Sequence, residues 1–122
     1  MTRERREAGM ATAEMAMAIP AILLVLAMCL TGLSLGADQI RCVDAARAAA
    51  RAASRGESAA EIRRLAQELT PDGSKVEVDV DSGQGFVSVS VQAPAPSGIL
   101  PALPPAKATA RAPLEPALSG DR

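Results

Sequence analysis

This sequence predicts an α+β chain with one long, membrane-length N-terminal helix, and three observations carry the prediction. From Met15 to Ala37, 23 consecutive residues contain no Asp, Glu, Lys or Arg. From Asp38 to Arg55 strong helix formers, above all Ala and Arg, continue with neither proline nor glycine. From Lys75 onward the apolar residues recur at a period of two, the signature of strands.

Residues 1–9 form a short polar leader in which Arg3, Arg5 and Arg6 stand against Glu4 and Glu7. Residues 10–37 are the membrane span. Its uncharged run would reach roughly 35 Å as a helix, enough for a hydrocarbon core of about 30 Å. Residues 38–55 continue the helix outside the bilayer. Arg47, Arg51 and Arg55 recur every fourth residue on one face, while Ala46, Ala49, Ala50 and Ala53 leave another face small and smooth. One helix is expected from about Ala11 to Arg55, with Gly56 as its C-terminal stop.

Residues 57–112 are expected to form a small α+β domain. Ser58 and Glu61 have the spacing of a capping box. Behind them Ile62, Leu65, Ala66 and Leu69 make a short amphipathic helix, which Thr70-Pro71 ends. In KVEVDVD, Val76, Val78 and Val80 alternate with Glu77, Asp79 and Asp81; in FVSVSVQ, Val87, Val89 and Val91 alternate with Ser88, Ser90 and Gln92. Ser82-Gly83-Gln84-Gly85 between them supplies the turn of an antiparallel hairpin. A lone hairpin is marginal in water, so its valine face should lie on the Ile62/Leu65/Leu69 face, as the soluble core. Lys107 to Arg111 offers a third, edge strand. The intervening Ala93 to Pro105 is proline-rich and extended, and residues 113–122 are expected to be a frayed tail.

Composition excludes several functions. A net charge of −1 gives no basic field for nucleic acid, and Tyr and Trp, the stacking platforms for bases, are absent. With no histidine, the usual general base and the commonest metal ligand are missing. The remaining Ser, Asp and Lys residues form no catalytic set, so no enzyme, cofactor, metal or small-molecule substrate is expected. The acids Glu77, Asp79 and Asp81 read as the polar outer face of a strand, with cation binding the lesser alternative. Cys29 and Cys42, 13 residues apart on one helix, would lie about 20 Å apart, too far for a disulfide. Cys29 reads as a small apolar residue of the span; Cys42 reads as a free structural thiol or a cross-link between copies.

The most informative stretch is the junction Glu7-Ala8-Gly9-Met10-Ala11-Thr12-Ala13-Glu14. A charged leader ends in glycine, an apolar helix begins at once, and one glutamate follows five residues after the glycine. An ionised carboxylate in that position costs a few kcal/mol unless paired or able to reach the interface. Cleavage after Gly9 would give Met10 a positive amine four residues before Glu14, able to neutralise the Glu14 of an adjacent helix. The other reading lets Glu14 reach headgroup water. Pro20 removes one backbone bond and favours a kink, either as a device for repacking or as a tolerated bend. Gly32 and Gly36 form a G-x-x-x-G that permits close helix approach.

In G-MATAEMAMAIPAILLVL (Gly9 to Leu26) and CVDAARAAARAASRG (Cys42 to Gly56), the chain resembles the type IV prepilin class. Within that class it resembles the TadE-like minor pilins, or pseudopilins, of tight-adherence (Tad/Flp) pili in their actinobacterial form. The resemblance implies a pilin-like fold, cutting after Gly9 by an aspartyl prepilin peptidase, and assembly roles for Glu14 and Pro20. Met15 departs from the pattern, since many members carry an aromatic there. The implied partners are other pilin subunits, a membrane assembly platform and its ATPase. The implied topology is a cytoplasmic N-terminus with the C-terminal domain outside the cell membrane. Two other readings stand beside it: an uncut single-pass envelope protein, and a secreted binding module released after Ala37.

Overall fold

A computed structural model describes residues 2–97 and 102–114. They form α1 (Thr2–Ser54), α2 (Ala59–Glu68), β1 (Lys75–Asp81), β2 (Phe86–Gln92) and β3 (Lys107–Pro113), an α+β arrangement with a three-stranded antiparallel sheet. The chain divides into two compact units at Leu33/Ser34.

Helix α1 begins at Thr2, not near Ala11. The leader RERREA consists of good helix formers, and a single glycine at position 9, at about 1 kcal/mol relative to alanine, does not interrupt it. The other end matches expectation. Gly56 has φ +82, its N–H donates to the Ala53 carbonyl at 3.0 Å, and the Glu57 N–H donates to Ala52 at 3.3 Å. This pair of bonds is a Schellman stop.

Ser58 caps α2 by accepting the Glu61 N–H at 3.3 Å. Only half of the capping box forms, because the Glu61 carboxylate pairs with Arg64 one turn on. Arg64 also holds Glu68. That network holds the Glu61 carboxyl below its ordinary range and the guanidinium above its own. Ile62 and Ala66 are buried, but Leu69, expected in the core, is 44% exposed. Leu69 is the C-cap rather than a helical position, so the helical repeat no longer aims it inward. Thr70 takes the buried place, its hydroxyl donating to the Ala66 carbonyl at 3.0 Å.

The sheet order is β1-β2-β3, with every strand antiparallel to its neighbour. The Asp81 carboxylate closes the hairpin turn by accepting the N–H groups of Gly83 and Gln84, both at 3.1 Å, and Gly85 sits at φ +69. Three rows cross the inner face: Val80-Val87-Ala112, Val78-Val89-Ala110 and Val76-Val91-Ala108. Val87, Val89 and Val91 of the central strand are buried.

The core differs from expectation in its main partner. Beside Ile62 and Ala66 it contains Cys42, Ala45, Ala46, Ala49, Ala52 and Ala53, the whole smooth face of the second half of α1. A face without side chains beyond Cβ lets a helix approach a sheet closely. A Cβ-only face therefore contributes packing area here in place of bulky residues. Strand β3 extends two residues further than Arg111, and Leu114 is held beyond it, its N–H donating to Gly85 at 2.7 Å. Residues 115–122 of the expected tail and residues 98–101 of the proline-rich stretch lie outside the described residues.

Candidate functional site

The residues singled out at the N-terminal junction all lie on α1 and all face outward. Gly9 is inside the helix, and a Cβ added there would meet nothing within 4 Å. Met10 is 66% exposed. Thr12 donates its hydroxyl to the Ala8 carbonyl at 2.9 Å, a bond that spans the Gly9–Met10 junction. Glu14 is exposed and, among the described residues, makes no ion pair. It is thus a single carboxylate on a helix whose next charged residue toward the C-terminus is Asp38.

Between them the helix is apolar on every side. Ile19, Ile22, Leu23, Leu24, Val25, Leu26, Met28, Leu30 and Leu33 are all at least half exposed or close to it. None of this most apolar stretch is buried. A helix hydrophobic all round needs an apolar environment around it, and this one is long and apolar enough to cross a membrane. Pro20 lies inside it. Lacking an N–H, Pro20 leaves the Ala16 carbonyl without its usual donor. Gly32 and Gly36 share one face and are open, with nothing within 4 Å of an added Cβ.

The two cysteines have opposite settings. Cys29 is exposed on the apolar helix and Cys42 is buried, both as free thiols. Cys42 is 0% exposed, with Sγ directed at the Ala106 carbonyl at 3.8 Å. Burial pushes its thiol up, and the Asp38 carboxylate adds to the shift. A cross-link between copies through Cys42 is therefore sterically closed in the folded chain.

Glu77, Asp79 and Asp81 lie on the outer sheet face, where the rows are Glu77-Ser90-Thr109, Asp79-Ser88-Arg111 and Asp81-Phe86-Pro113. Among the described residues no group of three or more His, Cys, Asp or Glu side chains converges as a metal site. Sequence reasoning missed Gln39, which reaches β3: its Nε2 donates to the Lys107 carbonyl at 3.0 Å. A contact across 68 positions leaves no periodic trace.

No family model matches the chain, and no solved structure matches it. The chain is 41% identical over 92 residues to a protein of Mycobacterium tuberculosis (strain ATCC 25618 / H37Rv) named apoptosis inhibitor Rv3655c, a match covering 74% of this chain and 68% of that one.

Proposed function

The chain belongs to the same family as the mycobacterial apoptosis inhibitor Rv3655c; on the residues of its N-terminal junction, and not on that relative, we propose that it is a membrane-anchored structural subunit, a minor pilin or pseudopilin of a tight-adherence pilus or secretion machine, with no enzymatic activity of its own. The relative's name describes an effect on apoptosis and specifies no reaction. The observation that carries the reading is Glu14: an exposed carboxylate without a described partner, five residues past Gly9, at the head of an apolar helix. Cutting after Gly9 by a prepilin peptidase would create a Met10 amine, and that cation would neutralise Glu14 of the next subunit. In this reading Pro20 eases the transfer of the helix from bilayer to filament, and Gly32 and Gly36 let helices pack closely. The N-terminus is cytoplasmic and the domain after Ala37 lies outside.

The test is mass spectrometry of the native N-terminus, together with filament assembly by Glu14→Ala chains. A mature N-terminus at Met10 and lost assembly are expected. Native chains that still carry residues 1–9 while filaments form normally would overturn the reading.

A second reading takes the relative's name, apoptosis inhibitor, over to this chain, as an envelope protein anchored uncut or a binding module released after Ala37. Its marks are an intact Met1 or a chain starting at Asp38.

A further inference from the structure

The two edges of the sheet are chemically complementary. The Ala93 N–H donates to the Ala106 carbonyl at 2.8 Å and the Leu114 N–H to Gly85 at 2.7 Å, and the β2–β3 register between these bonds is unbroken. Hydrogen-bonded and non-bonded pairs alternate along an antiparallel ladder. Lys107, Thr109, Arg111 and Pro113 therefore turn their backbone groups away from β2. Pro113 has no N–H to leave unpaired there, and Gln39 satisfies both backbone groups of Lys107. Among the described residues, Thr109 and Arg111 remain an open edge. By the same alternation Val76, Val78 and Val80 turn their backbone groups outward along β1, the opposite edge.

Beside the β3 edge lies a groove of about 390 Å³, lined by Arg47, Ala50 and Arg51 of α1 and by Ala110, Arg111 and Ala112 of β3. Its floor is alanine and its rim is cationic. Among the described residues none of these three arginines makes an ion pair. The alanine floor suits small apolar side chains on the inner face, and Arg111, on the outer face of the sheet, suits a carboxylate there. Strand β1 offers both, with Val80 48% exposed on the inner face and Glu77, Asp79 and Asp81 on the outer.

The geometry points to a second copy of this chain as the occupant: β1 of one copy adds to β3 of another as a parallel fourth strand, with Val80 at the arginine-rimmed groove. Both β1 and β3 run antiparallel to β2, so a copy in the same orientation brings them together in parallel with both helix-covered faces on one side. Antiparallel addition would instead set carboxylates against alanines. Charge selects the register. With Arg111 beside Asp81, Thr109 meets Asp79 and Lys107 meets Glu77; a shift of two residues one way would oppose Lys107 with Lys75, and the other way would set Arg111 opposite Gly83, without a carboxylate. An anionic lipid fits less well. A lipid headgroup offers no N–H donors for the outward carbonyls of Thr109 and Arg111, whereas a strand supplies both donors and acceptors.

The contact is head-to-tail, so each copy keeps one free edge and the series stays open. The seam is short, with Gln39 and Pro113 at its ends, and membrane confinement supplies the local concentration it needs. It goes beyond the filament reading and requires no cut at Gly9.

The test uses full-length Cys29→Ala chains in phosphatidylcholine vesicles, one population carrying Thr109→Cys and the other Asp79→Cys. Opposed residues on adjacent strands sit about 4.8 Å apart, within disulfide reach. Mild oxidation is expected to give a dimer in the mixture and none in either population alone. Arg111→Asp in the Thr109→Cys copy should lower that yield about fivefold, whereas Arg111→Lys, which keeps the charge, should leave it near the native level. Continued shielding of Cys42 from thiol reagents reports an intact fold. If a variant fails that check, Lys107→Cys with Glu77→Cys probes the same register. No mixed dimer from folded chains, equal dimers in the single populations, or indifference to Arg111→Asp would overturn the proposal. The same cross-link is expected with Glu14→Ala, so failure at the sheet edge and failure of the filament reading give different results.

Discussion

Gln39 and Lys107 exchange two hydrogen bonds across 68 positions of sequence: the Gln39 amide nitrogen donates to the Lys107 carbonyl at 3.0 Å, and the Lys107 N–H donates to the amide oxygen at 3.2 Å. The side chain behaves as a one-residue strand, ties α1 to the sheet and blocks one end of an open edge. Gln39→Ala removes both bonds and leaves an exposed N–H and C=O, which water can take up. A loss of about 1–2 kcal/mol is expected, read as a lower denaturant midpoint of the part after Ala37. Gln39→Glu keeps the acceptor and loses the donor, so it should fall between the two. A change below the error of the measurement in Gln39→Ala would show that the pair only decorates the contact.

A stronger effect is expected at Ala49, which is 0% exposed under the sheet. Ala49→Leu adds three carbons where the helix face meets Val89 and its neighbours in the core. Overpacking a closed core costs about 1–3 kcal/mol or more, even though leucine is nearly as good a helix former as alanine. Ala48→Leu, one residue away and only half-buried, serves as the control and should change stability by about 0.5 kcal/mol or less. Equal effects at the two positions would mean that this face of α1 does not carry the core.

That contrast also explains which parts of the fold were legible in the sequence. The hairpin, its turn at Ser82–Gly85, the α2 cap at Ser58 and the stop at Gly56 are local, and each is dictated by residues within a few positions of one another. The third strand was legible as an edge but two residues short, since Ala112 and Pro113 carry no strand preference of their own. The docking of α1 was not legible. Alanine has the same sequence signature on an exposed helix and a buried one, so nothing at Ala45 to Ala53 announces the sheet across from it. Leu69 misled for the opposite reason, because helical periodicity was extended one residue past the helix. At the candidate site, Gly9 and Glu14 stood out by charge and spacing alone; the continuation of α1 through Gly9 did not.

Cys42 makes stability depend on pH in a defined direction. Burial, and secondarily Asp38, raise its thiol above the ordinary value, so the folded chain holds the proton more tightly than the unfolded chain. The resulting stability is complete below the unfolded value of about 8.5. It is lost as pH rises through the folded value. Unfolding midpoints should therefore fall on the alkaline side of about pH 8.5, and Cys42→Ala should flatten that part of the profile. In native chains Cys29 should react with a thiol reagent in detergent while Cys42 stays protected until unfolding. Equal labelling of both at neutral pH would contradict the buried placement.

The last prediction concerns the order of events at the N-terminal junction. Helix α1 runs through Gly9, with Thr12 bonded back to the Ala8 carbonyl at 2.9 Å. A protease needs its substrate strand extended, so under the pilin reading the junction must unwind before it is cut. Glycine lowers the cost of that step by about 1 kcal/mol relative to alanine. Gly9→Ala should accordingly slow cutting by roughly fivefold, and Gly9→Leu, which also adds bulk at the scissile residue, should abolish it and leave chains that begin at Met1. Glu14→Gln should be cut normally yet fail to enter filaments, because it removes the charge without disturbing the helix. Pulse-chase mass spectrometry follows the first two, and sheared-filament fractions follow the third. Were Glu14→Gln assembled as well as the native chain, a neutral side chain would suffice there, and the pairing of Glu14 with a new amine would have no role in assembly.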